Sequence, residues 1–318
     1  MISVVIATYN GEKYLKEQLD SILFQSRKVD EIIIFDDCSI DKTISILRDY
    51  ENKYNGLFRI FINKNHQGYI KNFYKAIDKA EGDYIFLCDQ DDIWCKNKIE
   101  KMIKVMHQKE FYVLACNYRM IDKEGKKIRE HIWSKNNSYY VKIKQIKLKQ
   151  IINYNLSMGC TMVITKEIKH FISSNIDYLS NIELPHDWAI NVIAASMNKL
   201  GYFNLKLIKY RLHGKNTIGL NRADDIDQRI NDYKRIIEQK RQMLCIIDIL
   251  ECDKKDINKF IEKDICSYKV RIINLLNQSI TGYCYSIIKS HLLRYASIKT
   301  ILWDLYLLIK EKSNEKYK

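Results

Sequence analysis

A single proline and ten glycines break up 318 residues, too few for a collagen-like or low-complexity chain. Nine cysteines are present, but they form no C-x-x-C pair and no cluster with histidine. Neither a zinc site nor a disulfide framework is indicated, and reduced thiols in the cytosol are expected. No unbroken apolar run is long enough to span a bilayer. Residues 1 to 7 are apolar, yet no basic stretch precedes them and no small-residue cleavage site follows, so no signal peptide is expected. The first strand-to-helix turn, Thr8-Tyr9-Asn10-Gly11-Glu12, lacks the G-x-G-x-x-G that lets a backbone approach a pyrophosphate, which argues against hydride transfer.

What is there is globular in character. Hydrophobic residues make up 47% of the chain, enough to build a core in one large domain or two ordinary ones. The formal charge of +14 asks for an anionic partner, and nucleotide, nucleic acid and anionic lipid all qualify.

The first half alternates strands and helices. Ile2 to Ala7, Glu31 to Phe35, Phe58 to Ile62 and Tyr84 to Leu87 read as buried strands. Helices follow them, marked by Leu15, Leu19, Ile22 and Leu23, by Ile44, Leu47 and Tyr50 with Ser39 or Asp41 as cap, by Phe73, Ile77 and Ala80, and by Ile99, Met102, Ile103 and Met106. The expected fold is α/β, with a mostly parallel central sheet flanked by helices. In such sheets ligands bind beyond the carboxyl ends of the strands.

There the chain places an aromatic ring at Tyr9, a carboxylate at Asp37, and the acidic run Asp89-Gln90-Asp91-Asp92. A ring can stack on a base, and a carboxylate can accept the N3 hydrogen of uracil or thymine. Tyr9 reads equally as a half-buried ring over the sheet, Asp37 as a helix cap, and Asp92 as the N-cap of the next helix. Asp89 and Asp91 would repel each other without a cation between them, and such carboxylates suit Mg²⁺ or Mn²⁺ holding a diphosphate.

Beyond the acidic run, Phe111 to Ile121 reads as a strand, Asp122 to Gly125 as a turn, and the stretch to Trp133 as a hairpin partner. Between Lys126 and Lys149 eight Lys or Arg face one acid, Glu130, a solvated face or a meeting surface for acidic lipid or saccharide. Leu156 to Ile164 reads as a strand in which Gly159 permits close backbone approach. Pro185 opens a helix, with Asp187 in its first turn as a charged carboxylate available as a general base. Gly201 to Leu212 is a further strand. The basic loop to Gly219 offers Arg211, His213 and Lys215 to a phosphate or metal. From Ala223 long helices run through Cys252, from Asp256 to Asn277 and from Cys284 to Lys310. Residues 1–222 and 223–318 are expected to be separate domains, the second a helical extension. In residues 265–310 six Lys or Arg accompany one acid, Asp304, so these helices could lie on a membrane surface, pack on the first domain, or join two copies.

Val4-Val5-Ile6-Ala7-Thr8-Tyr9-Asn10-Gly11, Asp36-Asp37-Cys38-Ser39, Asn65 with Gly68, Asp89-Gln90-Asp91-Asp92 and Asp187, in that order over roughly residues 1 to 220, resemble the inverting family 2 glycosyltransferases with their A-type, Rossmann-like fold. Asp89-Gln90-Asp91-Asp92-Ile93-Trp94 and Tyr210-Arg211-Leu212-His213-Gly214-Lys215-Asn216 look like bacterial rhamnosyltransferases of cell-wall, capsule and O-antigen assembly. The resemblance implies a nucleotide-diphosphosugar donor, dTDP-rhamnose or a UDP-hexose, held by Thr8, Tyr9, Asn10, Asp37, Asn65, Asp89, Gln90, Asp91, Arg211 and His213. It also implies Mg²⁺ or Mn²⁺ on Asp89, Asp91 and His213, and Asp187 as the base. Many relatives carry an acid just before that base, where this chain has His186. A saccharide acceptor carried on a polyprenyl lipid at the cytoplasmic face of the membrane is expected. Nucleic acid is disfavoured, since strand-end acids repel a phosphate backbone. A nucleotidyltransferase would need a glycine-rich basic loop after the first strand, which is absent.

Overall fold

The computed structural model describes residues 1–128, 142–214, 223–251, 254–289 and 298–315. The chain divides into two compact units, Met1–Asn216 and Thr217–Lys318. In the first unit the strands are β1 (Ile2–Thr8), β2 (Glu31–Asp36), β3 (Phe58–Ile62), β4 (Tyr84–Cys88), β5 (Ile93–Trp94), β6 (Val113–Ile121), β7 (Ile143–Gln145), β8 (Met162–Thr165) and β9 (Leu200–Arg211). The helices are α1 (Leu15–Leu23), α2 (Thr43–Lys53), α3 (Tyr69–Lys79), α4 (Lys98–Lys109), α5 (Leu148–Asn153), α6 (Lys166–Ser174), α7 (Ile176–Ser180) and α8 (His186–Ser196). The second unit is helical: α9 (Ile226–Asp248), α10 (Lys254–Leu276), α11 (Ile280–Lys289) and α12 (Ile298–Glu315).

The sheet runs β3-β2-β1-β4-β8-β6-β9-β5, with β7 also paired to β9. β1 pairs in parallel with β2 and β4, and β2 with β3. This is the parallel part expected from the strand-helix alternation. β8 then enters antiparallel to both β4 and β6, while β6 and β9 are parallel to each other, so the whole sheet is mixed. The β-branched strands β1 and β2 are buried almost throughout because helices cover both faces. α8 is buried from His186 to Ala195, the mark of a helix running through a core. Chain order reverses beside β1, whose sequence successors lie on one side and β4 on the other. The tips of β1, β2 and β4 therefore line the crevice where such sheets take ligands.

Several local expectations need correction. Leu156 to Thr161 is not strand: it ends in a 3-10 turn at Gly159–Thr161, and only Met162–Thr165 joins the sheet. An apolar run shows that a segment is buried, not that it is extended. The hairpin after β6 starts with a bridge between Ile121 and Lys127, and its continuation to Trp133 lies outside the described residues, as does Lys215. Of the expected helix from Cys284 to Lys310, residues 284–289 belong to α11 and 298–310 to α12, and the stretch between them lies outside the described residues. In α2 it is Ile46 and Leu47 that are fully buried, while Ile44 is half-buried. Among the described residues no helix is long and apolar enough to cross a membrane.

Candidate active site

The loop after β1 is tied down from two sides. Asn10 adopts φ 48, a left-handed conformation that Asn tolerates better than most residues. Its amide donates to Ser39 Oγ at 2.9 Å, and its Oδ1 accepts from the Ile40 amide at 2.9 Å. Thr8 donates to the buried Asp36 at 2.8 Å, which also accepts from the Ser39 hydroxyl and amide. The Gln90 side-chain amide clasps the Tyr9 peptide, Oε1 accepting from its N–H at 2.9 Å and Nε2 donating to its carbonyl at 3.0 Å. Gly11 is required beside that clasp, since a Cβ there would stand 2.3 Å from Gln90 Oε1. Thr8, Asn10 and Gln90 thus shape the loop, leaving the Tyr9 ring 47% exposed, with its centroid 4.8 Å from that of His66.

Asp37, at the tip of β2, is buried and fully bonded. Oδ1 accepts from Asn63 Nδ2 at 2.9 Å and the Gln67 amide at 2.8 Å, and Oδ2 from the Gly68 amide at 2.8 Å with His66 Nδ1 2.9 Å away. Burial alone would raise this carboxyl, but the Gln67 amide, the side chains of Asn63 and Asn72 and the Gly68 amide together hold it below its ordinary value. Gly68 reaches this position with φ 83, which glycine adopts freely. Asn63, not the expected Asn65, makes the bond. Asn65 is exposed in the same loop.

The acidic loop after β4 holds three carboxylates in different settings. Asp89 is half-buried, and burial pushes its carboxyl well up, with the charges of Asp92, Asp91 and Asp187 adding to the rise. Asp92 is fully buried and is not a helix cap, since Asn97 precedes α4. Its Oδ1 accepts from the Arg211 amide at 3.0 Å. Burial, then Asp91, pushes the Asp92 carboxyl up to about 7. Asp91 turns outward to His213, Nε2 to Oδ2 2.8 Å, and the imidazole stacks on Tyr14. Beneath the loop lies Lys98, fully buried, its ammonium donating to the Cys160 carbonyl at 2.9 Å and centred 3.6 Å above the Trp94 ring. Neither Lys98 nor Tyr14 was expected from sequence to matter here.

Arg211 does not take the expected place against a phosphate. Its guanidinium is buried, donating to the Asp91 carbonyl at 2.9 Å and the Lys123 carbonyl at 3.3 Å and pairing with Glu17. It fixes the acidic loop to the end of β9.

Asp187 stands in the first turn of α8, buried, with Oδ1 accepting from the Trp188 amide at 2.7 Å and Oδ2 from the Gly159 amide at 3.0 Å. Burial pushes its carboxyl up to about 6, against those two amides and Asn155, which favour the ionised form. Gly159 comes this close because it has no side chain: a Cβ would meet His186 Nε2 at 2.7 Å. His186 stacks on Phe73 with centroids 4.0 Å apart, and burial lowers its imidazole to about 3, so it is neutral. Tyr69, 37% exposed, is pushed up to about 12 by burial and then by the charges of Asp187 and Asp89. Tyr69 is near enough to both acids to feel their charge, a placement that follows from α3 docking against the sheet.

Asp89 feels the charges of Asp91, Asp92 and Asp187, while Lys98 offsets part of the charge at Asp92, and hard oxygen donors of this kind suit Mg²⁺ or Mn²⁺. The three donor atoms gathered within 4.8 Å belong to Asp89, Asp92 and Cys160, not to the expected Asp89, Asp91 and His213. Burial, with Asp92 and Asp89, holds the Cys160 thiol well above its ordinary value, and a protonated sulfur is a poor ligand for either ion. Of the carboxylates Asp89 and Asp91 are the less buried, and carboxylate oxygens are donors suited to either ion.

A model of the family described as Glycosyl transferase family 2 matches residues 3–168. The dTDP-rhamnosyl transferase RfbG of Shigella flexneri is 33% identical over 225 residues, 68% of this chain and 74% of that protein. Among solved structures, S. aureus TarS 1-349 in complex with UDP-GlcNAc superposes with a TM-score of 0.57 at 17% identity, covering 92% of this chain and 78% of that one. The mannosyltransferase PcManGT from Pyrobaculum calidifontis, in complex with GDP-Man and Mn²⁺, gives 0.57 at 13% identity, covering 98% and 86%. At such identities the likeness is one of fold.

Proposed function

The chain belongs to glycosyl transferase family 2, and on that premise we propose that it moves L-rhamnose from dTDP-rhamnose onto a saccharide acceptor, with inversion, in bacterial cell-surface polysaccharide synthesis. Asp187 carries this reading: a buried carboxylate raised to about 6 and aimed by two backbone amides, close enough to Asp89 for their charges to interact. A base with that ionisation is charged at neutral pH yet basic enough to take a proton from a hydroxyl.

Tyr9 stacks on the pyrimidine, and Asp37 accepts its N3 hydrogen as exposed His66 gives way. Asp89 and Asp91 would hold a divalent ion, which would supply charge to offset that of the departing diphosphate. Asp187 deprotonates the acceptor hydroxyl as it attacks the far face of the sugar. That single displacement inverts the anomeric carbon and needs no enzyme nucleophile. The first compact unit does this chemistry, and the helical unit serves the membrane side, where a polyprenyl-linked acceptor on the cytoplasmic face would be met.

RfbG, named for dTDP-rhamnosyl transfer, favours rhamnose. A UDP-hexose such as UDP-galactose or UDP-glucose is the second reading, favoured by the shared fold of TarS with UDP-GlcNAc bound, and uracil and thymine offer Asp37 the same N3 hydrogen. A panel of nucleotide-sugars with Mg²⁺ or Mn²⁺, scored for release of nucleoside diphosphate, decides between them. dTDP-rhamnose is expected to give the highest rate; turnover only with UDP-hexoses would reverse the choice, and none with any donor would refute both.

A further inference from the structure

α12 buries Ile301, Asp304, Leu307 and Leu308. Its opposite side is unusual: Ile298, Leu302, Tyr306 and Ile309 are 68%, 59%, 50% and 57% exposed. At 3.6 residues per turn these four fall within an arc of about 80° and extend over roughly 16 Å of the helix. Lys299 and Lys310, both exposed, border the arc on one side and exposed Lys312 on the other. The acids of α12 are Asp304, Glu311 and Glu315, and by its spacing position 315 falls on the side of Asp304. Asp304 is buried and bonded to Arg229 and Arg271, and Glu311 falls toward the buried side.

An apolar stripe with lysines on both rims is the pattern of a helix lying in a membrane interface, its rings and branched chains among the acyl chains and its ammonium groups at the phosphates. A second copy fits less well. The four side chains open roughly 400 Å² of apolar surface, about half of what each partner buries in a stable interface. A two-fold contact along the stripe would also bring lysine rims of like charge together, whereas an anionic surface neutralises them.

We propose that the outer face of α12 docks on an anionic lipid bilayer through Ile298, Leu302, Tyr306 and Ile309, with Lys299 and Lys312 at the headgroups, while Lys310 donates to the Asp224 carbonyl at 3.0 Å. The proposal rests on the membrane-side location read above and not on the chemistry at the strand tips. The test is sedimentation of the full-length chain with vesicles of mixed phosphatidylglycerol and phosphatidylcholine, against phosphatidylcholine alone. Binding to the mixed vesicles, weakened by salt, is expected. Leu302→Glu with Ile309→Glu should reduce it by about tenfold or more, and Lys299→Gln with Lys312→Gln by about tenfold. Nucleoside diphosphate release from the donor should be unchanged in each, so that failure here and failure of the catalytic assignment read out separately. Leu302→Gln with Ile309→Gln, and helix content by circular dichroism, guard against misfolding. Absence of sedimentation by the unmodified chain, or equal sedimentation by the glutamate variant, would overturn the proposal. So would a dimer dispersed by that variant while vesicle binding persists, which would assign the face to a second copy.

Discussion

Asp304 in the helical unit and Asp187 in the α/β unit are both buried acids, and they are treated in opposite ways. Asp304 accepts from Arg229 Nε at 2.8 Å, from Arg271 Nε at 2.9 Å and from the hydroxyls of Tyr233 and Tyr283. Two cations surround one anion. Asp187 has only neutral donors, the amides of Gly159 and Trp188 with Asn155, and its nearest charged company includes Asp89. Compensation locks a carboxylate in place and makes it inert. Withholding it leaves a group that takes up a proton near neutrality, at a cost in stability that a purely structural residue would have no reason to bear.

The sharpest way to break this contrast is to remove each charge in turn. Asp187→Asn is expected to lower transfer by about 10³-fold. Stability should stay within about 1 kcal/mol, since the lost acceptor is offset by relief of a buried charge. Asp304→Asn should do the reverse, costing about 3–5 kcal/mol of unfolding free energy by orphaning two buried guanidinium groups, while nucleoside diphosphate release per folded molecule is unchanged. Thermal melts and initial rates on both variants measure it. If Asp187→Asn melts early and Asp304→Asn loses only rate, the assignment is inverted.

A smaller effect concerns Lys98. Lys98→Met is expected to cost about 1–3 kcal/mol, from an unsatisfied Cys160 carbonyl and an Asp92 with one cation fewer. Chemical denaturation reads that out, and an unchanged midpoint would remove Lys98 from the support of the acidic loop. Smallest are the changes beside Asp37. Asn63→Ala should weaken nucleoside diphosphate binding by about fivefold, and Asn65→Ala by less than about twofold. Calorimetric titration with dTDP or UDP tests the pair, and a larger loss at Asn65 would restore the contact first expected from sequence.

The same contrast shows what a sequence can reveal. β1 to β4 were legible because both faces of a parallel sheet are buried, which makes each strand an apolar run with a polar tip. The tips were therefore legible too, and Tyr9, Asp37, Asp89 and Asp187 all belong to the loops and the helix start that surround the crevice. What was hidden depended on partners distant in the chain. β5 has two residues and exists only through its pairing with β9. Arg211 reads as a free cation until its guanidinium is seen turned inward toward Glu17 and the loop carbonyls. Lys98 opens a helix, where a lysine is ordinarily solvated, and is buried only because Cys160 and Trp94 close over it. Asn63 and Asn65 differ by one turn of a loop whose path has no signature in composition.

The pH dependence of transfer, for the unmodified chain and Gly159→Ala side by side, tests most directly whether Asp187 is the working base. A raised carboxyl favours the folded state below 3.8, and that contribution is lost as the pH rises through about 6. Activity has the opposite slope, because only the ionised form accepts a proton. kcat/KM is therefore predicted to climb through an inflection near 6 and level off above it. In Gly159→Ala the new Cβ, 2.7 Å from His186 Nε2, displaces the amide that favours the ionised carboxylate, so the inflection should move upward as kcat falls. A profile flat from pH 5 to 8, or an inflection that stays in place in Gly159→Ala, would contradict the account.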